Sequence, residues 1–149
     1  MMKSRKGQAA MEFLMTYGWA ILVVLAAIAA LAYFGVLSPD KLLPEKCTLS
    51  PGMSCDGFKV TTNSIQLVIR NGMGKDITIN NVTVGSCSVG GLSLDINNGR
   101  AQSVTLTGCN NGQAGRRFDG DILIFYTEYL PDGQNITKTN TGQIAAKIE

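Results

Sequence analysis

The stretch KGQAAMEFLMTYGWAILVV, residues 6–24, opens a segment in which Glu12 is the last charged side chain before Asp40. The run from Phe13 to Leu37 is 25 residues long and holds no group that is charged at neutral pH. As a helix rising about 1.5 Å per residue it reaches roughly 37 Å, enough to cross a hydrocarbon layer of about 30 Å. Because it is apolar on every side, it cannot serve as an amphipathic surface helix. Lipid or other helices must surround it. Lys3, Arg5 and Lys6 precede the run, which favours the amino end in the cytoplasm and places the chain beyond Leu37 outside. Ser38-Pro39 and then Pro44 give a stop signal and a short, stiff connection.

Glu12 separates the readings of this helix. A secretory signal would use the small-x-small site Ala30-Leu31-Ala32, but the apolar region is longer than the usual 7 to 15 residues of such signals. A plain single-span anchor accounts for the length and leaves the carboxylate unexplained. An ionised carboxylate at the edge of hydrocarbon is costly unless it snorkels or finds a partner, so its position points to function. The plainer account is a carboxylate at headgroup level that the helix N-terminal amides and dipole stabilise modestly.

The segment RKGQAAMEF resembles the class III signal sequence of archaeal type IV pilins. It has a short basic leader ending in Gly7, then Gln8, a glutamate at the fifth position after the glycine (Glu12), and the aromatic Phe13. Ala10 stands where many members carry serine. The resemblance covers about the first thirty-five residues. It implies that a prepilin peptidase cuts between Gly7 and Gln8 and leaves the apolar helix on the mature chain. It further implies that Glu12 pairs with the new amino terminus of a neighbouring copy when subunits dock. Cyclisation of Gln8 to a pyroglutamyl group would remove that charge. The implied partners are copies of the same chain in a helical filament, the peptidase, the pilus assembly machinery, and the membrane that stores the precursor. Ala26 and Ala30 have the small-xxx-small spacing that lets helix backbones approach. Tyr17 and Trp19 near one end and Tyr33 near the other suit an interfacial aromatic belt.

Beyond Pro44 the composition shifts to Gly, Asn, Val, Ile and Thr, and helical periodicity ends. Ile65, Leu67 and Ile69 alternate with Gln66, Val68 and Arg70; RNGMGKD offers a turn, and Ile77, Ile79 and Asn81 alternate before Val82-Thr83-Val84. Together these read as a hairpin. Further strand candidates are Leu92 to Ile96, Ser103 to Thr107, Asp121 to Tyr129 and Ile136 to Ile148, separated by NNGR, CNNGQAG and PDGQ. In DILIFYTEY both faces are apolar, which predicts a central strand from Ile122 to Tyr126 covered on both sides. The expected fold class is α+β: a long N-terminal hydrophobic helix and an antiparallel β-sandwich, of which an Ig-like arrangement is one form. The expected organisation is a leader over 1–7, a helix over 8–38, a linker over 39–46 and an external β-domain over 47–149.

Residues 45–149 carry nine basic and nine acidic side chains. That balance argues against a nucleic-acid binder, whose affinity needs a basic patch facing phosphates. Four cysteines, Cys47, Cys55, Cys87 and Cys109, all lie beyond the apolar run. An even count outside the membrane is a disulfide signal with three connectivities open. Pairing Cys47 with Cys55 and Cys87 with Cys109 is the economical choice, since each closes a local loop. Zinc fits poorly, because there is no C-x-x-C pair and no histidine. The N-x-[ST] sequons at Asn81 and Asn135 are glycosylation candidates on a polar exterior.

No enzyme is expected. The commonest general base is missing and oxidised cysteines leave no thiol nucleophile. Asp119, Asp121 and Asp132 supply the oxygen type that calcium takes, although such residues more often end strands and start turns. No metal or cofactor is expected. CNNGQAGRR lacks the spacing of a phosphate cradle, so Arg116 and Arg117 read as a solvated loop or a subunit contact. The expected function is a structural filament subunit used in adhesion to surfaces or cells. A monomeric, membrane-anchored, ligand-binding ectodomain is the alternative.

Overall fold

The computed structural model describes residues 4–35 and 43–149, with the side chains of residues 4–6 left aside. The chain falls into two compact units, Met1–Leu43 and Pro44–Glu149.

The first unit is the helix α1, Ser4–Tyr33. It begins within the basic leader, so Gly7 and Gln8 are helical. It closes at Gly35, which adopts φ 71° and donates its N–H to the carbonyl of Ala32 at 3.1 Å. A glycine in the left-handed region is a common helix terminator, because a Cβ there would clash. The helix therefore ends at Tyr33. The expected stop at Ser38-Pro39 lies outside the described residues.

The second unit is a two-sheet antiparallel β-structure of nine strands among the described residues: β1 (Lys46–Leu49), β2 (Met53–Val60), β3 (Ser64–Asn71), β4 (Ile77–Val84), β5 (Cys87–Val89), β6 (Leu94–Ile96), β7 (Ala101–Thr107), β8 (Arg117–Tyr129) and β9 (Asn135–Lys147). The larger sheet runs β1-β9-β8-β4-β5, with β6 also paired to β4; the smaller runs β2-β3-β7. With the helix this makes the α+β class. The core between the sheets is built from Ile65, Leu67 and Ile69 of β3, Ile79, Val82 and Val84 of β4, Ile122 and Ile124 of β8, and Ile144 of β9. β-branched side chains dominate this set, as expected where a pleated surface is buried on one face.

Two expectations change. β3 and β4 do not form a hairpin, since β3 pairs with β2 and β7 while β4 pairs with β5, β6 and β8. The segment between them crosses from one sheet to the other, held by the buried Asn71. Its Nδ2 donates to the carbonyls of Lys75 and Ile96, both at 2.8 Å, and its Oδ1 accepts the N–H of Met73 at 2.9 Å. Alternation in both strands shows only that each has one buried face. It does not show that the two faces belong to one sheet. β8 is central, between β9 and β4, but it is covered on one side only. Ile122, Ile124 and Tyr126 are buried, whereas Leu123 and Phe125 on the other face are half-buried.

Both disulfides take the economical pairing, Cys47 with Cys55 and Cys87 with Cys109. Their Cα separations of 5.8 Å and 5.2 Å sit inside the usual range. Each one ties the two sheets together. Cys47 lies on β1 at one edge of the larger sheet and Cys55 on β2 at the neighbouring edge of the smaller one. Cys87 lies on β5 at the opposite edge of the larger sheet, and Cys109 comes just after β7 at the opposite edge of the smaller one. The sandwich is thus clamped at both open sides.

Candidate functional site

From Gly7 to Tyr33, α1 is a 27-residue helix apolar and long enough to cross a membrane, and none of its most apolar window is buried. At about 1.5 Å per residue this stretch measures about 40 Å. Its large side chains point outward all round: Phe13, Trp19, Leu22, Leu25 and Ile28 are each more than half exposed. An ordinary surface helix offers one apolar stripe to a core; this one offers a full cylinder. Only lipid or a surrounding set of helices satisfies such a surface.

Near the start of this cylinder lie the residues that the sequence singled out. Gln8 and Glu12 are four positions apart on one continuous helix, hence on one face, with Cβ atoms about 5 to 6 Å apart. Phe13 packs its ring against Tyr17 at 4.8 Å between centroids. The hydroxyl of Thr16 donates to the backbone carbonyl of Glu12 at 2.8 Å, so its proton is satisfied within the helix. The Glu12 side chain is exposed and stays available to a partner. Ala26 and Ala30 share a face toward the far end.

In the β-domain the candidate polar groups separate. Arg117 holds Asp119 through Nε at 2.9 Å, and Asp121 faces Gln143. Asp132 lies in the β8–β9 turn, where it accepts the N–H of Gln134 at 3.4 Å. With β8 running from Arg117 to Tyr129, the turn and the Asp119-Asp121 pair stand at opposite ends of the strand, so the three carboxylates do not converge. Asn81 lies in β4 and is half-buried, while Asn135 opens β9 and is exposed.

The structure also brings together a polar group that the sequence reading missed. Glu128 is 1% exposed and meets the ammonium groups of Lys75 at 2.7 Å and Lys138 at 2.9 Å. The two lysines hold its carboxyl below the usual carboxylate range, Lys75 contributing most, against the opposing effect of burial. The same contact raises Lys138. The signal was present in the sequence: Glu128 continues the even-numbered series Ile122, Ile124, Tyr126 that faces the core.

Comparison with protein-family models and with curated proteins returns no match. The functional reading therefore rests on the chain's own residues: an apolar cylinder with one carboxylate at its entrance, and a disulfide-clamped domain that needs no help from the helix to bury its core.

Proposed function

We propose that this chain is the structural subunit of an archaeal type IV pilus-like filament. In this reading a prepilin peptidase removes residues 1–7, the helix from Gln8 stays in the bilayer until assembly, and copies then pack their helices together as the filament core. The β-domain faces outward, and the filament serves adhesion to surfaces or cells. The observation that carries the reading is the cylinder of exposed apolar side chains with Glu12 at its entrance, five positions after Gly7.

The chemistry is consistent at each step. Cutting after Gly7 would create an ammonium group at Gln8, and Glu12 would be its counter-charge on a neighbouring copy. In a setting of low dielectric such a pair is strong only when both members are matched, which makes it a registry device as much as a source of affinity. Exchanging lipid for neighbouring helices keeps the environment apolar, so assembly gains from packing and pairing. The two disulfides suit a domain that works in an oxidising compartment.

The test is Glu12→Gln. Processing after Gly7 is expected to continue, while the yield of sedimentable filaments falls several-fold. Undiminished filament yield from the variant would overturn the role given to Glu12. A protein that stays monomeric in the membrane, whatever stands at position 12, would instead be an anchored ectodomain.

A further inference from the structure

The two sequons fall on one surface. Asn81 and Asn135 both project from the outer face of the larger sheet, and each stands directly across from an aromatic residue of β8. Asn81 is in register with Phe125 and Asn135 with Tyr129. Directly opposed positions on a sheet face hold their Cβ atoms about 4.5 to 5.5 Å apart. A sugar joined to either amide would start beside an aromatic ring, whose apolar face suits the C–H face of a pyranose.

The surroundings favour a neutral, hydroxyl-rich occupant. Three registered rows cross β4, β8 and β9 on this face: Thr78, Thr127, Thr137; Asn81, Phe125, Thr139; and Thr83, Leu123, Thr141. None of the nine side chains is charged; the first row continues to Asp95 of β6, whose carboxylate is taken up by the Thr78 hydroxyl. The other charges of this face lie at the other end of β8, where Arg117 pairs with Asp119 at 2.9 Å and Asp121 faces Gln143, away from Asn135 and the β8–β9 turn.

The two asparagines are not equivalent. Asn81 sits inside the sheet, its Oδ1 is buried without a hydrogen-bond partner, and a methyl group at Gly90 would touch its Nδ2 at 3.7 Å. Asn135 and Thr137 are both exposed, next to the β8–β9 turn. Beyond Gly142, where β1 ends its pairing, the edge of β9 toward Asn135 has no further strand beside it among the described residues. Tyr129 is 51% exposed. Its hydroxyl lies 3.0 Å from Thr78 Oγ1, which donates to Asp95 at 2.5 Å, so the ring leans along the sheet from β8 toward β4, and a sugar on Asn135 of β9 reaches it by crossing β8.

We infer that Asn135 carries an N-linked glycan whose first sugar lies on the ring of Tyr129, and that Asn81 stays unmodified. The donor would be a lipid-phosphate-linked oligosaccharide. Asn135 Nδ2 forms a bond to the anomeric carbon and gives up one proton, and the carbon–oxygen bond to the phosphate breaks with its electron pair leaving on the lipid phosphate. This inference rests on the external placement of the β-domain and not on filament assembly.

The experiment is peptide mapping by mass spectrometry of the native protein, with protease accessibility of the domain measured on intact cells. The peptide containing Asn135 is expected to carry a glycan mass, and the one containing Asn81 none. Thr137→Ala should abolish the modification and Thr137→Ser retain it. Tyr129→Ala should leave the glycan attached and remove the upfield ring-current shift of the first sugar's protons. A bare Asn135 on an accessible domain overturns the inference alone, and an inaccessible domain overturns the external placement with it. Glycan found on Asn81 overturns the assignment between the two sequons. Sugar signals indifferent to Tyr129→Ala overturn the stacking.

Discussion

In α1, Leu25 is 60% exposed and Leu31 47%, whereas in the β-domain Ile65, Ile69 and Ile124 are each 0% exposed. Residues of similar size and hydrophobicity thus meet opposite fates within one chain. The β-domain satisfies its apolar surface internally, by facing two sheets and clamping them at both sides. The helix leaves its own surface to be satisfied by something else, and burial of a Leu or Ile side chain is worth about 1.5 to 3 kcal/mol. Such a cylinder cannot remain in water. The contrast marks which part of the molecule is a finished structure and which part is an interface.

The contrast breaks most sharply under truncation of side chains. Ile124→Ala in the core should cost the β-domain about 3 to 4 kcal/mol by loss of transfer energy and a residual cavity. Leu25→Ala should move the same chemical-denaturation midpoint by an amount within error. A comparable loss from both would mean that the two units fold as one. Next come the disulfides. Chain-entropy reasoning assigns about 3.4 kcal/mol to the bridge closing a 22-residue separation and about 2.5 kcal/mol to the one closing 8. Replacing Cys87 and Cys109 together by Ser should therefore lower the thermal midpoint more than the same change at Cys47 and Cys55.

Glu128 supplies a smaller effect that sharpens the contrast. Its carboxyl is held below the usual range by Lys75 and Lys138, so the folded state binds the proton more weakly than the unfolded one. The stability it contributes is present above the unfolded value of about 4.3 and is lost as pH falls through the folded value. Because the two lysines are about half exposed, the contribution is screened, and Glu128→Gln should cost about 2 kcal/mol near neutrality. Denaturation at pH 7 and pH 3 checks this: the difference between wild type and variant should shrink in acid. The smallest effect belongs to the helix end. Gly35→Ala should weaken the last turn by about 1 kcal/mol, because φ 71° disfavours a Cβ, and amide exchange at Ala32 to Phe34 in micelles would register it without change elsewhere.

How much of this is legible in the sequence depends on the range of each signal. The helix is legible because 25 uncharged residues leave no other outcome in lipid. Its end is less so: Gly35 stops it, while Ser38-Pro39 is the more conspicuous signal. β3, β4 and β6 to β9 are legible from alternation and from turns such as NNGR and PDGQ. β2 is hidden because Cys55, Asp56 and Gly57 interrupt alternation, and the structure places a β-bulge there. β1 and β5 have only four and three residues, too few for a period to show, and they lack the alternating Leu92, Leu94 and Ile96 that mark the equally short β6. Sheet membership is not legible at all. The hairpin expected between β3 and β4 fails because alternation reports burial, and the crossing between sheets is decided by the non-local bonds of Asn71.

The disulfide pairing is correct on a local argument whose physical meaning is non-local. Residues close in sequence close small loops, yet each pair joins different sheets, because β1 passes to β2 across one side of the sandwich and β5 approaches β7 across the other. At Asn81 a similar lesson holds. The β-bulge between Ile79 and Asn81 resets the alternation of β4, which lets Ile79 and Val82 both face the core and puts Asn81 across from Phe125.

The measurement that bears most directly on the central claim is the mass of the amino-terminal peptide, taken separately from membranes and from a sheared extracellular fraction of cells making the native protein. A start at Gln8, free or cyclised, enriched in sedimentable extracellular material, is the expected result. A start at Met1 or Met2 confined to membranes, or a start at Tyr33 after removal of the helix, would contradict it.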